Sequence, residues 1–256
     1  MSRRALLGIS GQQTPPVPPI TLGYVSGMTM LLDGIENSLT GHQTSLTIWQ
    51  DLSKNGNDIA VPSSAAINNN NVETNPARLT AGVDAMTVLG GLKINNHIVS
   101  QFEEFTIEMR VTIADNISNY AVVFHSRSYG TANQDVGVHR YQTTLRQGLN
   151  SNWLNIANVS PTTISFVYKK SANTLTIYQN GNLSYNRTGV STGVEAIFNG
   201  DLTFGAFEKG ISATNILFHN IRFYPKALTP QEISSNYNND INRGLTQIYE
   251  NSNNNN

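Results

Sequence analysis

Thr106-Ile107-Glu108-Met109-Arg110-Val111-Thr112-Ile113 alternates polar and apolar residues without a break. Successive side chains of a strand point to opposite faces, so this stretch predicts a strand with one buried and one wet face. Working outward, Ile164, Phe166 and Tyr168 mark a second alternating strand. Leu175 and Ile177 mark a third, which runs into Gln179-Asn180-Gly181-Asn182. Asn-Gly at a strand end predicts a two-residue hairpin, because both residues accept the positive φ of a type I′ turn. Ala121–His125, Val136–Tyr141, Asp201–Gly205 and Ile216–Tyr224 are further strand candidates. Many short strands joined by Asn, Gly and Ser turns predict an all-β fold, a two-sheet antiparallel sandwich or a barrel. One helix stands out. Thr229-Pro230-Gln231-Glu232 is a capping box with proline at the first helical position, and Ile233 and Tyr237 follow four apart on one face.

Composition agrees. Of the 256 residues 39% are hydrophobic and only 13% charged, with many Asn, Ser and Thr, which suits turn-rich β structure better than helices. A formal net charge of −1 carries no electrostatic footprint for nucleic acid or anionic lipid. The chain has no cysteine, which points to folding in a reducing compartment or to a bacterial or viral chain. Its start, MSRRALLGISG, has the arginines of a signal peptide but too short an apolar stretch, so export by the general route is not expected. No segment is long and apolar enough to cross a membrane. The expectation is a chain folded in the cytoplasm.

Three regions are read. Residues 1–20 form an extended arm, since Thr14-Pro15-Pro16-Val17-Pro18-Pro19 favours polyproline II. The ordinary reading is a disordered terminus; the sharper one is a docking arm anchored by Leu6, Leu7 and Ile9. Residues 21–245 form one sandwich, and residues 246–256 an Asn-rich polar tail.

At this point a family comes into view. Ile164–Asn182 (ISFVYKKSANTLTIYQNGN) resembles the paired central strands of laminin-G-like domains, with their "LYxNG" hairpin. Asn215–Tyr237 (NILFHNIRFYPKALTPQEISSNY) resembles their closing strand, short connection and small helix. Trp49–Asp58 (WQDLSKNGND) is similar to the "WxDxSGNGNxG" entry loop of bacterial and phage members. The resemblance is to the concanavalin A-like lectin/glucanase superfamily, laminin-G-like type, and the three matches fall in family order. It implies a jelly-roll β-sandwich with one short C-terminal helix. Its members bind glycans or proteins, sometimes with calcium, and some relatives hydrolyse polysaccharides. Fold does not choose among these roles.

Glycoside hydrolysis needs two carboxyl groups about 5–10 Å apart over one cleft. The nearest candidates are Glu103, Glu104 and Glu108, but Thr106 stands where the scaffold's acid pattern wants a carboxylate. They are read as solvated charges at a strand start. The histidines His42, His97, His125, His139 and His219 show no metal-ligand spacing. His125 and His139 are read as possible neighbours across a sheet, and His219 as structural. Trp49 and Tyr24 are assigned to the core. The loop Asp51, Asn55, Asn57 and Asp58 is rich in oxygen donors around a glycine, which suits calcium. The same residues are good turn formers, and Lys54 adds charge where relatives often carry glycine, so a structural turn is preferred. Sugars are held by aromatic faces and hydrogen-bonding side chains. His125, Arg127, Tyr129, His139, Tyr141 and Trp153 supply both within one segment. Alternation puts His139 and Tyr141 on the face opposite Val136 and Val138.

These observations lead to a reading as a non-catalytic glycan-binding or adhesion module, not an enzyme. It is expected on a virion or cell surface, most simply the exterior of a bacteriophage particle. Its partners are then a glycan or host-surface ligand and, through the arm, other virion proteins, with self-association left open. No cofactor is expected except calcium. A purely structural virion protein and a polysaccharide hydrolase are the alternatives.

Overall fold

The computed structural model describes residues 23–34, 48–60, 65–68, 71–74, 92–94, 102–113, 120–127, 135–141, 144–149, 152–156, 161–190, 202–204 and 216–253. These comprise strands β1 (Met30–Asp33), β2 (Ile48–Trp49), β3 (Ile59–Ala60), β4 (Ala65–Asn68), β5 (Asn71–Thr74) and β6 (Leu92–Ile94). There follow β7 (Glu104–Ile113), β8 (Tyr120–Arg127), β9 (Asp135–Tyr141), β10 (Thr144–Leu149) and β11 (Asn152–Ile156). The rest are β12 (Thr162–Lys169), β13 (Thr174–Gln179), β14 (Asn182–Thr188), β15 (Leu202–Phe204), β16 (Ile216–Tyr224) and helix α1 (Pro230–Asn253). The arm, with Leu6, Leu7 and Ile9, lies outside the described residues.

The strands form two large antiparallel sheets. An eight-stranded sheet runs β14-β13-β12-β7-β16-β5-β4, with β1 paired to β16 beside β5. A six-stranded sheet runs β11-β10-β9-β8-β15-β6, and β2 and β3 form a small pair. The predicted alternation sets the core. Phe105, Ile107, Met109 and Val111 of β7, Ile164, Phe166 and Tyr168 of β12, and Ile221 and Phe223 of β16 all point inward and are buried. They meet the other sheet through Leu202 and Phe204, the latter edge-on to Phe218 with ring centroids 6.0 Å apart. The Asn180-Gly181 hairpin forms as expected, with φ of 50° and 77°. The capping box also forms: Thr229 N donates to Glu232 Oε2 at 2.8 Å and Glu232 N to Thr229 Oγ1 at 3.2 Å.

The outer face of β7 is not wet, contrary to the alternation read alone. Thr106 and Glu108 are 0% exposed because α1 and the segment before it cover this face. Val167, Tyr178, Tyr224, Leu228 and Ile233 make a second apolar cluster beneath that cover. Around it lies a buried ionic network. Arg222 donates through Nε to Glu108 Oε2 at 3.1 Å, and through Nη1 and Nη2 to Asp240 Oδ1 and Oδ2 at 2.6 and 2.9 Å. Ser165 Oγ and Asn236 Nδ2 donate to the remaining sites on Glu108. Tyr24, assigned to the core from the sequence, instead lays its ring 4.3 Å from the Arg222 guanidinium and donates its hydroxyl to Asp240. Arg243 pairs with Asp33 at the edge of the network. Trp49 is in the core as expected, its Nε1 donating to the Asp33 carbonyl at 2.8 Å.

Burial pushes the Glu108 carboxyl above its ordinary pKa, against the opposing pull of Arg222. Burial acts on Asp240 too, but Arg222 outweighs it and holds that carboxyl below its ordinary value. Asp240 is therefore the principal counter-charge of Arg222, with Glu108 the second acidic partner, on Nε. Asp240→Asn strands a buried cation and is expected to cost about 3–5 kcal/mol. Glu108→Gln keeps the side chain's size and an acceptor oxygen and leaves Asp240 paired with Arg222, so a smaller cost of roughly 1 kcal/mol is expected. The two carboxyls have opposite pH signatures. Stability from Asp240 is present above its unfolded pKa of about 3.9 and is lost as pH falls through its lower folded value. Stability from Glu108 is present below its unfolded pKa of about 4.3 and is lost as pH rises through its higher folded value. Urea unfolding from about pH 4 to pH 8 should show a decline on the alkaline side that Glu108→Gln removes.

Candidate functional site

With α1 capping the eight-stranded sheet, the candidate site falls on the six-stranded one. Leu202 and Phe204 of β15 are in the core, so Thr203 between them lies on the sheet's outer face. Directly paired residues share a face, which allows that assignment to be carried from strand to strand. Thr203 pairs with Lys93 on one side and His125 on the other. His125 pairs with Gly137, Gly137 with Gly148, and Gly148 with Trp153. One outer row thus runs Lys93, Thr203, His125, Gly137, Gly148, Trp153 across all six strands. The neighbouring row pairs Val122, His139, Arg146 and Asn155, and the next pairs Tyr120, Tyr141 and Thr144. On the other side Arg127 pairs with Asp135.

Five of the six sequence-predicted binding residues (His125, Arg127, His139, Tyr141 and Trp153) therefore hold positions on this one face. Tyr129 lies outside the described residues. A bulge in β8 between Val122 and Phe124 does part of the gathering. One extra residue there flips the alternation, moving His125 and Arg127 to the face of His139 and Tyr141. His125 and His139 become diagonal neighbours in the β8–β9 ladder. Lys93, Arg146 and Asn155 were missed from the sequence; they can be recognised only once the strand register is known.

Glu103, Glu104 and Glu108 do not form an acid pair. Glu108 is sealed under α1 with Arg222, so it is not the solvated charge that its strand position suggested. Glu103 and Glu104 lie at the surface near Lys170 and Lys169, at 3.0 and 3.9 Å. His219 is structural as read, its Nε2 lying 2.8 Å from Thr112 Oγ1.

In the loop after β2, Asp51 is buried, and its Oδ1 accepts the backbone N–H of Leu31 and of Ser53, each at 2.9 Å. Its Oδ2 accepts the Asn57 N–H, and Asp58 Oδ1 accepts the Asp51 N–H. Asn55 and Asn57 donate side-chain N–H to the carbonyls of Met28 and Thr29. Calcium needs six to eight free oxygens, whereas here the Asp51 carboxylate is occupied by amide hydrogens. Asp51, Asn55, Asn57 and Asp58 fit a hydrogen-bonded turn and do not fit a calcium cage. Lys54 has a φ of 65°, which accounts for glycine at that place in similar loops.

Two stacked antiparallel sheets with a closing helix define a lectin-like β-sandwich. The chain belongs to the concanavalin A-like lectin/glucanases superfamily, whose laminin-G-type model matches residues 89–234. Among solved structures it is similar to Trypanosoma rangeli sialidase in complex with 2,3-difluoro-KDN, with a TM-score of 0.60 and 14% identity. That match covers 88% of this chain and 35% of the sialidase chain. A mutant of the same sialidase displaying trans-sialidase activity matches with a TM-score of 0.61 and 16% identity, over 82% of this chain and 32% of that one. The chain thus spans about a third of the length of these enzymes, and the likeness is one of fold. A comparison with curated proteins finds no match. The expectation that the chain is not an enzyme is corrected by these findings. The superfamily takes in glucanases beside lectins, and both solved structures named above are of a sialidase, so membership of this fold does not set the chain apart from enzymes.

The Asp51 turn generates two expectations. Chelation with EDTA should leave the melting temperature unchanged; a fall of several degrees would show a bound cation. Lys54→Gly relieves a left-handed backbone that disfavours side chains, and is expected to stabilise the chain by up to about 1 kcal/mol in urea unfolding.

Proposed function

We propose that this chain is a glycan-recognition module whose binding surface is the outer face of the six-stranded sheet. The observation that carries the reading is the convergence of His125, Arg127, His139, Tyr141 and Trp153 on one face. Aromatic rings stack on sugar faces, and histidine and arginine hydrogen-bond hydroxyls; both types occur in adjacent rows. The superfamily's lectin members and the sialidase likeness support a glycan as the ligand. The setting proposed is the exterior of a bacteriophage particle or a cell surface, with residues 1–20 docking the module to a neighbouring protein. The proline run of that arm and the likeness of Trp49–Asp58 to a bacterial and phage loop support this setting.

A glycan array is expected to return at least one polysaccharide ligand, with Trp153→Ala weakening it by about 1–3 kcal/mol. Deleting residues 1–20 should leave that binding intact while abolishing incorporation into particles. Binding to no polysaccharide and no cell envelope, in either form, would overturn the reading in favour of a purely structural part.

A further inference from the structure

Two Asn-Gly pairs fall among the described residues, Asn55-Gly56 in the turn after β2 and Asn180-Gly181 between β13 and β14. Such a pair carries a chemistry of its own. The backbone nitrogen that follows an asparagine can attack that side chain's amide carbon, and glycine, having no Cβ, obstructs the approach least. The fold treats the two pairs in opposite ways.

Asn180 is held. Its Oδ1 accepts the Thr163 N–H at 2.9 Å and the Thr162 hydroxyl at 3.4 Å, and its own N–H donates to the Thr163 carbonyl at 2.8 Å. Gly181 is pressed against α1, where an added Cβ would lie 3.1 Å from the Tyr237 ring. Attack there requires the hairpin to open first. Asn55 and Gly56, by contrast, are both exposed. Nothing lies within 4 Å of a Cβ built on Gly56, and among the described residues its N–H has no hydrogen-bond partner. The Asn55 side chain is tethered through Nδ2, which donates to the Met28 carbonyl at 3.1 Å and to Ser53 Oγ at 2.9 Å. Both contacts are at the surface, where water competes for them.

We propose that Asn55 is a site of spontaneous deamidation that slackens the hold of this turn on the chain leading into β1. The Gly56 nitrogen gives up its proton and bonds to Asn55 Cγ; the Cγ–Nδ2 bond breaks, and Nδ2 leaves as ammonia with that proton. Water then opens the cyclic imide at either carbonyl, giving aspartate or isoaspartate. The product loses what Asn55 supplies. Ser53 Oγ and Asn57 Nδ2 donate to the Thr29 carbonyl while Asn55 serves that of Met28, so three side chains of the turn bind the approach to β1. A carboxylate at position 55 has no donor for the Met28 carbonyl or the Ser53 oxygen, and it adds negative charge to a turn that already carries Asp51 and Asp58. Isoaspartate also lengthens the backbone by a methylene next to Asn57, whose N–H is bound to Asp51.

The test holds the full chain in mildly acidic and mildly alkaline buffer, folded and in urea, and follows both pairs by peptide mapping with mass spectrometry. In the folded chain Asn55 is expected to react at least about tenfold faster than Asn180, at a rate that rises with pH because the attacking nitrogen must lose its proton. In urea the two should react at similar rates. Asn55→Gln, whose longer side chain closes a larger and less favourable ring, should show no conversion at that position. Asn55→Asp, a stand-in for one product, should lower the melting temperature by about 2–4 °C. Equal rates at the two pairs in the folded chain, or reaction of Asn55 in urea alone, would overturn the assignment of the site. An unchanged melting temperature in Asn55→Asp would overturn the slackening of the turn while leaving the reaction standing.

Discussion

A guanidinium without solvent is the constraint around which one half of this molecule is arranged. Arg222 sits fully buried on the outer face of β16, where a charge cannot stay without partners. It draws one carboxylate from β7, another from α1 and an aromatic ring from the segment before β1. Glu108, Asp240 and Tyr24 are far apart in sequence, so the interaction closes the chain's ends onto its centre. A buried ion pair does not necessarily stabilise a fold more than apolar residues of the same shape would. What it does is reject alternatives. Sliding α1 by a turn would remove Asp240 and Asn236 from Arg222 and Glu108 at once, leaving buried charges uncompensated.

That closure divides the two sheets. The eight-stranded sheet has both faces engaged, one in the inter-sheet core and one under α1 with Leu228 and Ile233. Its outer polar residues are accordingly structural, Glu108 included. The six-stranded sheet has no such partner among the described contacts of α1, and the chemically varied residues fall on it. The bulge in β8 matters here because an unbroken alternation would have put His125 and His139 on opposite faces.

What could be read from the sequence was whatever short-range rules determine. The β7 alternation, the Asn180-Gly181 turn and the Thr229–Glu232 box depend on residues within a few positions of one another, and all three form. The environment of Glu108 depends on Asp240 and Asn236, more than a hundred residues away, and no periodicity in β7 announces them. In α1 the residues facing the sheet are Ile233, Asn236, Asp240 and Arg243, correctly spaced for one helix face but mostly polar. A search for an apolar stripe finds only its first turn. Arg222 was the available signal: a cation on the strand face opposite Ile221 and Phe223 needs a covering element that brings a carboxylate. The candidate binding residues were collected from a segment rich in the right chemistry. Their common face depends on strand register and on a bulge, neither of which single-strand periodicity contains.

The paired glycines sharpen the contrast between the sheets. Across β12, β7 and β16 the aligned inward positions are filled by large residues: Ile164, Met109 and Ile221, then Phe166, Ile107 and Phe223. A ladder built for stability alone would carry β-branched or aromatic pairs in the middle of its strands. Gly137 opposite Gly148 forgoes that packing, at a cost of roughly 0.5–1 kcal/mol for each glycine relative to alanine. The core gives no reason for them, since their row faces away from Leu202 and Phe204. Packing in the inter-sheet core therefore does not account for the pair, which stands between His125 and Trp153 in one row. The stability forgone there is recovered elsewhere, in the close inter-sheet core and in the sealed face beneath α1.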